Sequence, residues 1–320
     1  MRSCHIWIFN IGRGFASVIR TPNNKWIMID LGANDKFNPV NDFMVPCFKY
    51  LCMEKRQDKK YQISQLIITH PHDDHLSAIN DFNRAFYPSL FTVQNDLDHP
   101  AQSNESKINW DLITNPSSDL TDYLRKEMLP GRQPPLRATD EDKSEGFVFQ
   151  IYHLKPSTCE NDKELLRANY SNNVSIMVRL NYNGNVILFC GDMMKDGMSK
   201  IISGNAALKN ALSNYGVDFL VAPHHGLRSS FSTELFATMK NGRTRALNII
   251  SEKPTNKDSN EIVDTRYESK DYSGGHQVIV DGWPEQKRHL KTSASGHIRI
   301  DLFQNKRAVV VSGKSALKIP

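Results

Sequence analysis

The sequence of 320 residues contains no long apolar run and few cysteines. No stretch approaches the roughly 18 consecutive apolar residues of a membrane-spanning helix, so no membrane partner is expected. The first residues, MRSCHIWIFNIGRG, lack the apolar core and the small-residue cleavage site of a signal peptide. The five cysteines are odd in number and contain no C-x-x-C pair, which argues against a disulfide framework and a thiolate metal site. We therefore expect a cytoplasmic protein.

The charge of the chain is mildly basic, with a net charge of +5 at pH 7. This excess is smaller than the concentrated basic face of a dedicated DNA-binding domain. Local basic clusters occur at three places: Lys55-Arg56 with Lys59-Lys60, Lys240 with Arg243 and Arg245, and Lys287-Arg288-His289 with Lys291. Each cluster is compatible with an ordinary solvated surface, and together they are compatible with a phosphate-rich substrate.

The densest group of ionisable residues runs from Thr69 to His75. It places three histidines and two aspartates directly after the apolar run 66–68. Imidazole and carboxylate are the ligands that suit zinc and similar transition metals. A buried strand that ends in such a cluster brings several ligands to one point, so the sequence predicts a metal site here.

Three further apolar segments end in ionisable residues. Residues 27–29 precede Asp30, residues 186–190 precede Gly191 and Asp192, and residues 219–222 precede Pro223, His224 and His225. Rigid strands can hold the residues at their ends at defined spacing, so these four strand ends are expected to meet at one pocket. Taken singly, Asp30 or Asp192 is equally compatible with a turn or a helix cap, and only the joint pattern indicates function.

The remaining pattern predicts an α/β chain folded as an αββα sandwich in a single domain, residues 1–320. Helical spacing is seen at 40–55, 76–86, 194–202, 206–215 and 233–240, with strands between them. Residues 95–145 are polar and rich in proline, which predicts a surface insertion or lid with one helix near 120–129.

In chain order, the segments MIDLG, THPHDDH, NNVS, CGD and APHHG resemble the metallo-β-lactamase-fold hydrolases. Within that family they are most similar to the hydrolase domain of the competence protein ComEC. That domain also begins with a Gly-x-Gly hairpin, present here as Gly12-Arg13-Gly14. The H-x-H-x-D-H motif is the specific element, and the others are informative in this order.

The resemblance implies one or two divalent metals, Zn²⁺ or Mn²⁺, and a set of ligand residues. The expected ligands are His70, His72, Asp74, His75, Asp192 and His225. His70 and His72 would hold one metal, Asp74 and His75 the second, and Asp192 would bridge them. One of His224 and His225 would complete the second site, with His225 favoured.

Further residues receive supporting roles from the same resemblance. Asp74 and His224 are the expected catalytic residues, with Asp74 orienting the nucleophile or carrying its proton. Asp30 is expected to orient a ligand histidine, because a metal-bound imidazole needs an acceptor for its other N–H. Asn173 and His153 are expected close behind the ligands.

The sequence also departs from the family pattern. The family supplies a third histidine to the first metal before the bridging aspartate, but only His99 and His153 lie in that interval. Arg13 and Phe15 replace a glutamine and an aspartate of the ComEC-like start. Leu227 stands where a serine is usual, although Ser229 and Ser230 follow it closely.

The leading hypothesis is a metal-dependent phosphodiesterase, a nuclease that cleaves DNA or RNA by metal-activated water. One alternative is a metallohydrolase for a small ester such as a phosphorylcholine, lactone or cyclic nucleotide. Another is a non-catalytic or partner-dependent module on a degenerate fold, motivated by the missing histidine. The sequence does not identify a protein partner.

Overall fold

Fifteen β-strands build the scaffold of the computed structural model, which describes residues 2–93, 108–114, 117–119, 146–239, 247–252 and 262–320. In chain order the strands are β1 Ser3–Ile8, β2 Ala16–Arg20, β3 Trp26–Leu31, β4 Tyr61–Ile68, β5 Phe86–Val93, β6 Phe147–Tyr152, β7 Met177–Tyr182, β8 Asn185–Phe189, β9 Phe219–Val221, β10 Leu247–Ile250, β11 His276–Val280, β12 Trp283–Lys287, β13 His289–Lys291, β14 Ile298–Phe303 and β15 Lys306–Ser312.

Eight α-helices occur in these described ranges: α1 Val45–Tyr50, α2 Ile79–Ala85, α3 Pro156–Asn161, α4 Lys163–Asn173, α5 Lys195–Gly204, α6 Ala206–Tyr215, α7 Thr233–Thr238 and α8 Thr292–Ser295. A π-helical segment, Pro39–Met44, leads into α1, and its first turn is capped by the Asn38 side chain. Short 3₁₀ turns form at Asp73–His75 and Pro223–Gly226, which are the loops that follow β4 and β9.

The strands form two mixed sheets. The nine-stranded sheet has the order β12-β11-β15-β14-β1-β2-β3-β4-β5, and the six-stranded sheet has the order β13-β10-β9-β8-β7-β6. β3, β4 and β5 are parallel neighbours in the first sheet, and β8, β9 and β10 are parallel neighbours in the second. The carboxyl ends of parallel strands share one edge of a sheet, which is where ligand-binding loops collect in open α/β sheets.

The two sheets pack face to face and each is covered by helices on its outer side. The core between them includes Ile6, Ile29, Ile67, Leu180 and Phe189. Residues of the segment from Val40 to Phe48 and of α2 pack on the outer face of the first sheet, and residues of α3 to α7 pack on the second. The layers are therefore helix, sheet, sheet and helix, and the predicted αββα sandwich is confirmed.

Several element boundaries differ from the prediction. The helix expected at 40–55 is the π-helical segment followed by the short α1. The helix expected at 76–86 ends at Ala85, and β5 begins at Phe86. β4 starts at Tyr61, five residues before the apolar run 66–68. The strand β12 was not expected, because it is an edge strand of polar and exposed residues with little hydrophobic pattern.

The polar segment 95–145 is described only at 108–114 and 117–119, so the expected insertion and its helix at 120–129 lie largely outside the described residues. The described part contacts the main body. Ile108 and Ile113 join the core on the outer face of the second sheet, and the backbone N–H of Ser117 donates to Pro71 O at 3.1 Å. None of the described helices is long and apolar enough to span a bilayer.

Two glycines hold the loop after β4 in place. A Cβ at Gly14 would lie 2.0 Å from the carbonyl oxygen of Asp74, and a Cβ at Gly32 would lie 2.5 Å from the same atom. Gly14 also has a φ of +106°, which other residues rarely adopt. The backbone of Asp74 therefore packs directly on the hairpin after β1 and on the end of β3, with no room for side chains between them.

Gly32→Ala tests this close packing. Its Cβ would also meet Phe15 O at 2.7 Å, so backbone must move, and we expect a loss of unfolding free energy. Overpacking of this kind typically costs about 1–3 kcal/mol. Gly204→Ala is the matched control, because a Cβ at that position has no atom within 4 Å. Equal denaturation midpoints for the two variants would contradict the packing that we describe.

Candidate metal centre

The four strand ends noted in the sequence meet at one edge of the sandwich. Asp30 lies at the end of β3, the segment from His70 to His75 follows β4, Asp192 follows β8, and His224-His225 follows β9. Backbone hydrogen bonds join the loops, from Ile176 N to Thr69 O at 2.9 Å and from His224 N to Gly191 O at 3.0 Å. The edges of both sheets therefore contribute to one site.

Six side chains form two compact groups. The ligand atoms of His70, His72 and Asp192 lie within 4.8 Å of one another, and so do those of Asp74, His75 and His225. The division is the one expected from the sequence, with the H-x-H pair in one group and the D-H pair in the other. No other group of this kind is found among the described residues.

The carboxylate of Asp192 is surrounded by imidazole nitrogens. Its Oδ1 lies 3.3 Å from His75 Nε2, and its Oδ2 lies 3.7 Å from His70 Nε2 and 3.5 Å from His225 Nε2. Ligands at about 2.1 Å from a tetrahedral zinc are about 3.4 Å apart, so these separations suit donors that share a metal. Asp192 faces both groups and is placed to bridge them.

Protein acceptors hold the outward nitrogen of the ligand histidines. His75 Nδ1–H donates to Asp30 Oδ2 at 2.7 Å, and His225 Nδ1–H donates to Ser251 O at 3.0 Å. Metal-binding histidines usually donate their second N–H in this way, because the bond fixes the tautomer and leaves Nε2 free to bind. The Nε2 atoms of both rings are buried and have no hydrogen-bond partner within the described ranges, which fits a divalent metal.

Asp30 is a buried anchor for the loop after β4. Besides the bond from His75, its carboxylate accepts from Thr69 N and from Thr69 Oγ1, each at 2.7 Å. Its backbone is left-handed, with a φ of +57°, a conformation that aspartate tolerates better than most residues. Because the hydroxyl of Thr69 donates to Asp30, it can accept from His70 Nδ1–H, 3.1 Å away. Asp30 thus orients histidines of both groups.

Burial and mutual charge shift the pKa values of the site. Burial lowers the pKa of His70 well below its usual range and lowers that of His72, so both rings offer neutral nitrogens. Burial disfavours the charged form of His225 as well, but Asp192 and Asp74 outweigh it and raise its pKa to about 9. Burial likewise opposes ionisation of Asp192, yet His75 and His225 hold the pKa of that carboxyl well below its usual range.

An unusual backbone turn presents the two neighbouring histidines. His224 and His225 both have left-handed backbones, with φ values of +44° and +55°. Such strain is kept where the surrounding structure demands it, and it often marks a functional site. The loop before Asp192 is fixed in turn by Ser175, whose Oγ accepts from Asp192 N at 3.0 Å.

Two of the expected supporting residues lie elsewhere. Asn173 donates to Leu165 O at 2.9 Å and faces the helices, whereas its neighbour Asn172 lies beside the site, with Nδ2 3.4 Å from His224 Nε2. His153 is in contact with the carbonyl of Leu154 at 3.1 Å and belongs to neither ligand group. The side chains of these two adjacent asparagines point in different directions. The sequence does not indicate which of them faces the site.

Two residues at the rim were not selected from the sequence as site residues. Arg13 Nε lies 3.6 Å from Asp74 Oδ2, and the Arg13 side chain is 46% exposed. Thr114 Oγ1 lies 3.4 Å from His72 Nε2. The position of Arg13 in the Gly-x-Gly hairpin was the available indication, because that hairpin is part of the family pattern.

The comparisons with known proteins give one match to a family. Residues 10–159 match the family model of the metallo-beta-lactamase superfamily. No curated protein matches the sequence.

Solved structures with a similar chain trace include three examples. Unliganded yeast PDE1 has 12% identity, a TM-score of 0.39, and coverage of 82% of this chain and 91% of its own. The metallo-beta-lactamase fold protein YhfI of Bacillus subtilis has 10% identity and a TM-score of 0.34, and the match covers 81% of this chain and 90% of that chain. The short form of human tRNase Z has 12% identity and a TM-score of 0.34, and the match covers 78% of this chain and 93% of that chain. Likenesses at this level carry no weight for function, but the family match and the two ligand groups support a metal-dependent hydrolase.

Asp30→Asn tests the orienting role of Asp30. The amide keeps the shape and the left-handed backbone but removes the charge that holds His75 Nδ1–H, so we expect weaker metal binding. Loss of such an outer partner typically costs roughly 10–100-fold in metal affinity. The measurement is the Zn²⁺ dissociation constant from competition with a chelating dye.

Asp73→Asn is the matched control, because Asp73 lies in the same motif but is exposed. Its metal affinity should equal that of the wild type. An Asp30→Asn protein that binds Zn²⁺ as tightly as Asp73→Asn would show that Asp30 serves only the backbone of the loop.

Proposed function

We propose that the protein is a metal-dependent phosphodiesterase that cleaves nucleic acid, with DNA as the preferred substrate. The observation that carries the proposal is the pair of ligand groups joined by Asp192, with the exposed guanidinium of Arg13 beside Asp74. Two adjoining metal sites suit phosphodiester cleavage, in which attacking and leaving oxygens both need stabilisation. The resemblance of the sequence motifs to the ComEC hydrolase domain supports DNA over other phosphodiesters.

The donor set assigns the metals to this chain's own residues. His70, His72 and Asp192 would hold one divalent ion, and Asp74, His75 and His225 the other, with Asp192 shared. A bound divalent metal lowers the pKa of its water to about 7 and so supplies a nucleophile at neutral pH. Histidine and carboxylate donors of this kind suit Zn²⁺ and also Mn²⁺.

Asp74 is the residue best placed to handle a proton. Its Oδ2 lies 3.5 Å from His225 Nε2, and its side chain is 28% exposed, whereas the side chain of Asp192 is almost fully buried. Burial opposes its ionisation, but the neighbouring His225 ring and the charge of His75 hold the pKa of Asp74 below its usual range. Asp74 is therefore a carboxylate at neutral pH, and it can orient a nucleophilic water and accept its proton.

Arg13 supplies a positive charge at the open side of the site. A guanidinium recognises phosphate oxygens through paired N–H donors, and it stays protonated throughout the physiological range. The Arg13 side chain lies 3.6 Å from Asp74 Oδ2 and is 46% exposed, so the guanidinium is accessible to a substrate beside the ligand groups. We assign Arg13 to the binding of the substrate phosphate.

The other basic clusters contribute less to this proposal. Lys55 and Arg56 lie over the rings of Tyr61 and Tyr87, near the start of β4 and therefore at the opposite end of that strand from His70. In the third cluster Lys287 pairs with Glu285 at 2.6 Å, and Lys291 pairs with Glu268 at 3.0 Å. Lys240, Arg243 and Arg245 lie outside the described residues.

Cleavage assays test the proposed activity. Protein loaded with Zn²⁺ or Mn²⁺ should cleave single-stranded or double-stranded DNA faster than RNA, and should hydrolyse bis(p-nitrophenyl) phosphate. Asp74→Asn should lower the turnover number by roughly a hundredfold or more, the usual range for loss of an acid–base group. Asp73→Asn should retain wild-type turnover.

The alternatives have distinct outcomes in the same assays. Hydrolysis of lactones or phosphorylcholine esters without cleavage of DNA or RNA would indicate a small-molecule metallohydrolase. A correctly folded, metal-loaded protein that hydrolyses none of these substrates would indicate a binding module and would overturn the proposed activity.

Arg13→Gln tests phosphate recognition separately from catalysis. We expect KM for bis(p-nitrophenyl) phosphate to rise roughly tenfold, the effect of losing one charge-assisted hydrogen bond. KM for the neutral ester p-nitrophenyl acetate, if that ester is hydrolysed, should be unchanged. Lys209→Gln removes an equal charge from the exposed face of α6 and is the control. A rise in KM for both substrates, or for neither, would contradict the assignment.

A further inference from the structure

The two ligand groups are not equally complete. The group of Asp74, His75 and His225 gains a fourth donor from the shared Asp192, whose oxygens lie 3.3 Å and 3.5 Å from its two imidazoles. The group of His70, His72 and Asp192 has only those three donors. A tetrahedral zinc site that keeps one position for water needs three protein donors. A zinc ion is held more firmly when a further neutral protein donor is present.

His224 lies beside the shared carboxylate of Asp192. Its Nε2 is 3.8 Å from Asp192 Oδ2, close to the 3.7 Å that separates His70 Nε2 from the same oxygen. The ring of His224 thus faces the bridging carboxylate.

The outward nitrogen of His224 is held as in the ligand histidines. Its Nδ1 lies 3.2 Å from Ser230 Oγ, and that hydroxyl donates to Met194 Sδ at 3.4 Å. Ser230 can therefore accept the Nδ1–H of His224 and leave Nε2 unprotonated. This is the arrangement that fixes the tautomer of a metal-binding imidazole.

The backbone explains how two consecutive histidines can serve different groups. In an extended strand successive side chains point to opposite faces. Here both residues are left-handed, and their ring centroids lie 5.7 Å apart with an angle of 55° between the planes. His225 Nε2 lies 3.5 Å from Asp74 Oδ2 in the second group, whereas His224 faces Asp192 and belongs to neither group as the residues stand.

We infer that His224 is the third imidazole of the first metal group and takes the role of the histidine that is missing upstream. The inference rests on the two-metal centre of the proposed function. His224 lies outside the 4.8 Å span of His70, His72 and Asp192, so its ring would have to turn toward them to join that group. Its Nε2 lies 3.4 Å from the amide nitrogen of Asn172.

Asn172 is the competing donor. It is 1% exposed, and its Oδ1 has no hydrogen-bond partner among the residues that the structure describes. Amide oxygen is a weaker zinc ligand than imidazole, which makes His224 the preferred donor. We assign to Asn172 the role of orienting the His224 ring through this contact.

Metal stoichiometry and affinity test the inference without reference to turnover. Wild-type protein, titrated with Zn²⁺ after chelator treatment, should bind two equivalents, one more weakly than the other. His224→Ala should lose the weaker equivalent and keep the tighter one, whereas His225→Ala should weaken the tighter one. His289→Ala, which removes a histidine outside the site, and His153→Ala should both bind as the wild type does.

Cobalt spectroscopy identifies the group that is affected. In the Co²⁺-substituted protein, His224→Ala should lose the visible absorption that arises from the second added equivalent, while the absorption of the first stays unchanged. Circular dichroism and the thermal midpoint of the metal-free protein establish that each variant folds, and His224→Gln provides a second, less disruptive removal of the imidazole.

Several results would overturn the inference. The first is a His224→Ala or His224→Gln protein that binds both equivalents of Zn²⁺ as the wild type does. The second is loss of the weaker equivalent in Asn172→Ala or His153→Ala while His224→Ala still binds both equivalents. The third is a wild-type protein that binds a single equivalent. Two bound equivalents with no cleavage of any phosphodiester would overturn the proposed function and leave the role of His224 supported.

Discussion

The buried carboxylate of Asp192 is the point on which the site depends. It belongs to the second sheet, yet two of the imidazoles around it, His70 and His75, come from the first sheet. A buried charge is costly unless it is paired, so the facing edges of the sheets must meet closely enough to surround this group. The same geometry that neutralises the carboxylate places its oxygens between two sets of metal donors.

Rigid loops keep these donors in position without regular secondary structure. Asp30 ties the start of the histidine loop to β3 through Thr69, and Gly14 and Gly32 allow the backbone of Asp74 to sit directly on the neighbouring chain. On the opposite side, Ser175 fixes Asp192. Each of these contacts joins a residue of the motif to a residue distant in sequence, and together they pre-organise the centre in the way that catalytic and binding sites require.

Much of this arrangement could be predicted because it follows from local patterns. Two groups of strands with helices between them indicated the sandwich, and apolar strands that end in ionisable residues indicated the meeting of four strand ends. The inward turn of Asn172 in place of Asn173, the hydroxyl of Ser230 behind His224, and the approach of Arg13 to Asp74 depend on tertiary packing, which has no local pattern. The polar edge strand β12 escaped prediction for the same reason, since its hydrogen bonds to β11 and not its hydrophobicity define it.

The distribution of ligands between the two sheets has a consequence for the order of events during synthesis. The part of the chain that matches the family model ends at residue 159, and it contains His70, His72, Asp74 and His75 but none of the donors after β8 or β9. Closing such distant contacts is slow compared with local folding. A growing polypeptide therefore has no complete ligand group until the second sheet has been made and docked, and metal capture belongs to the end of folding.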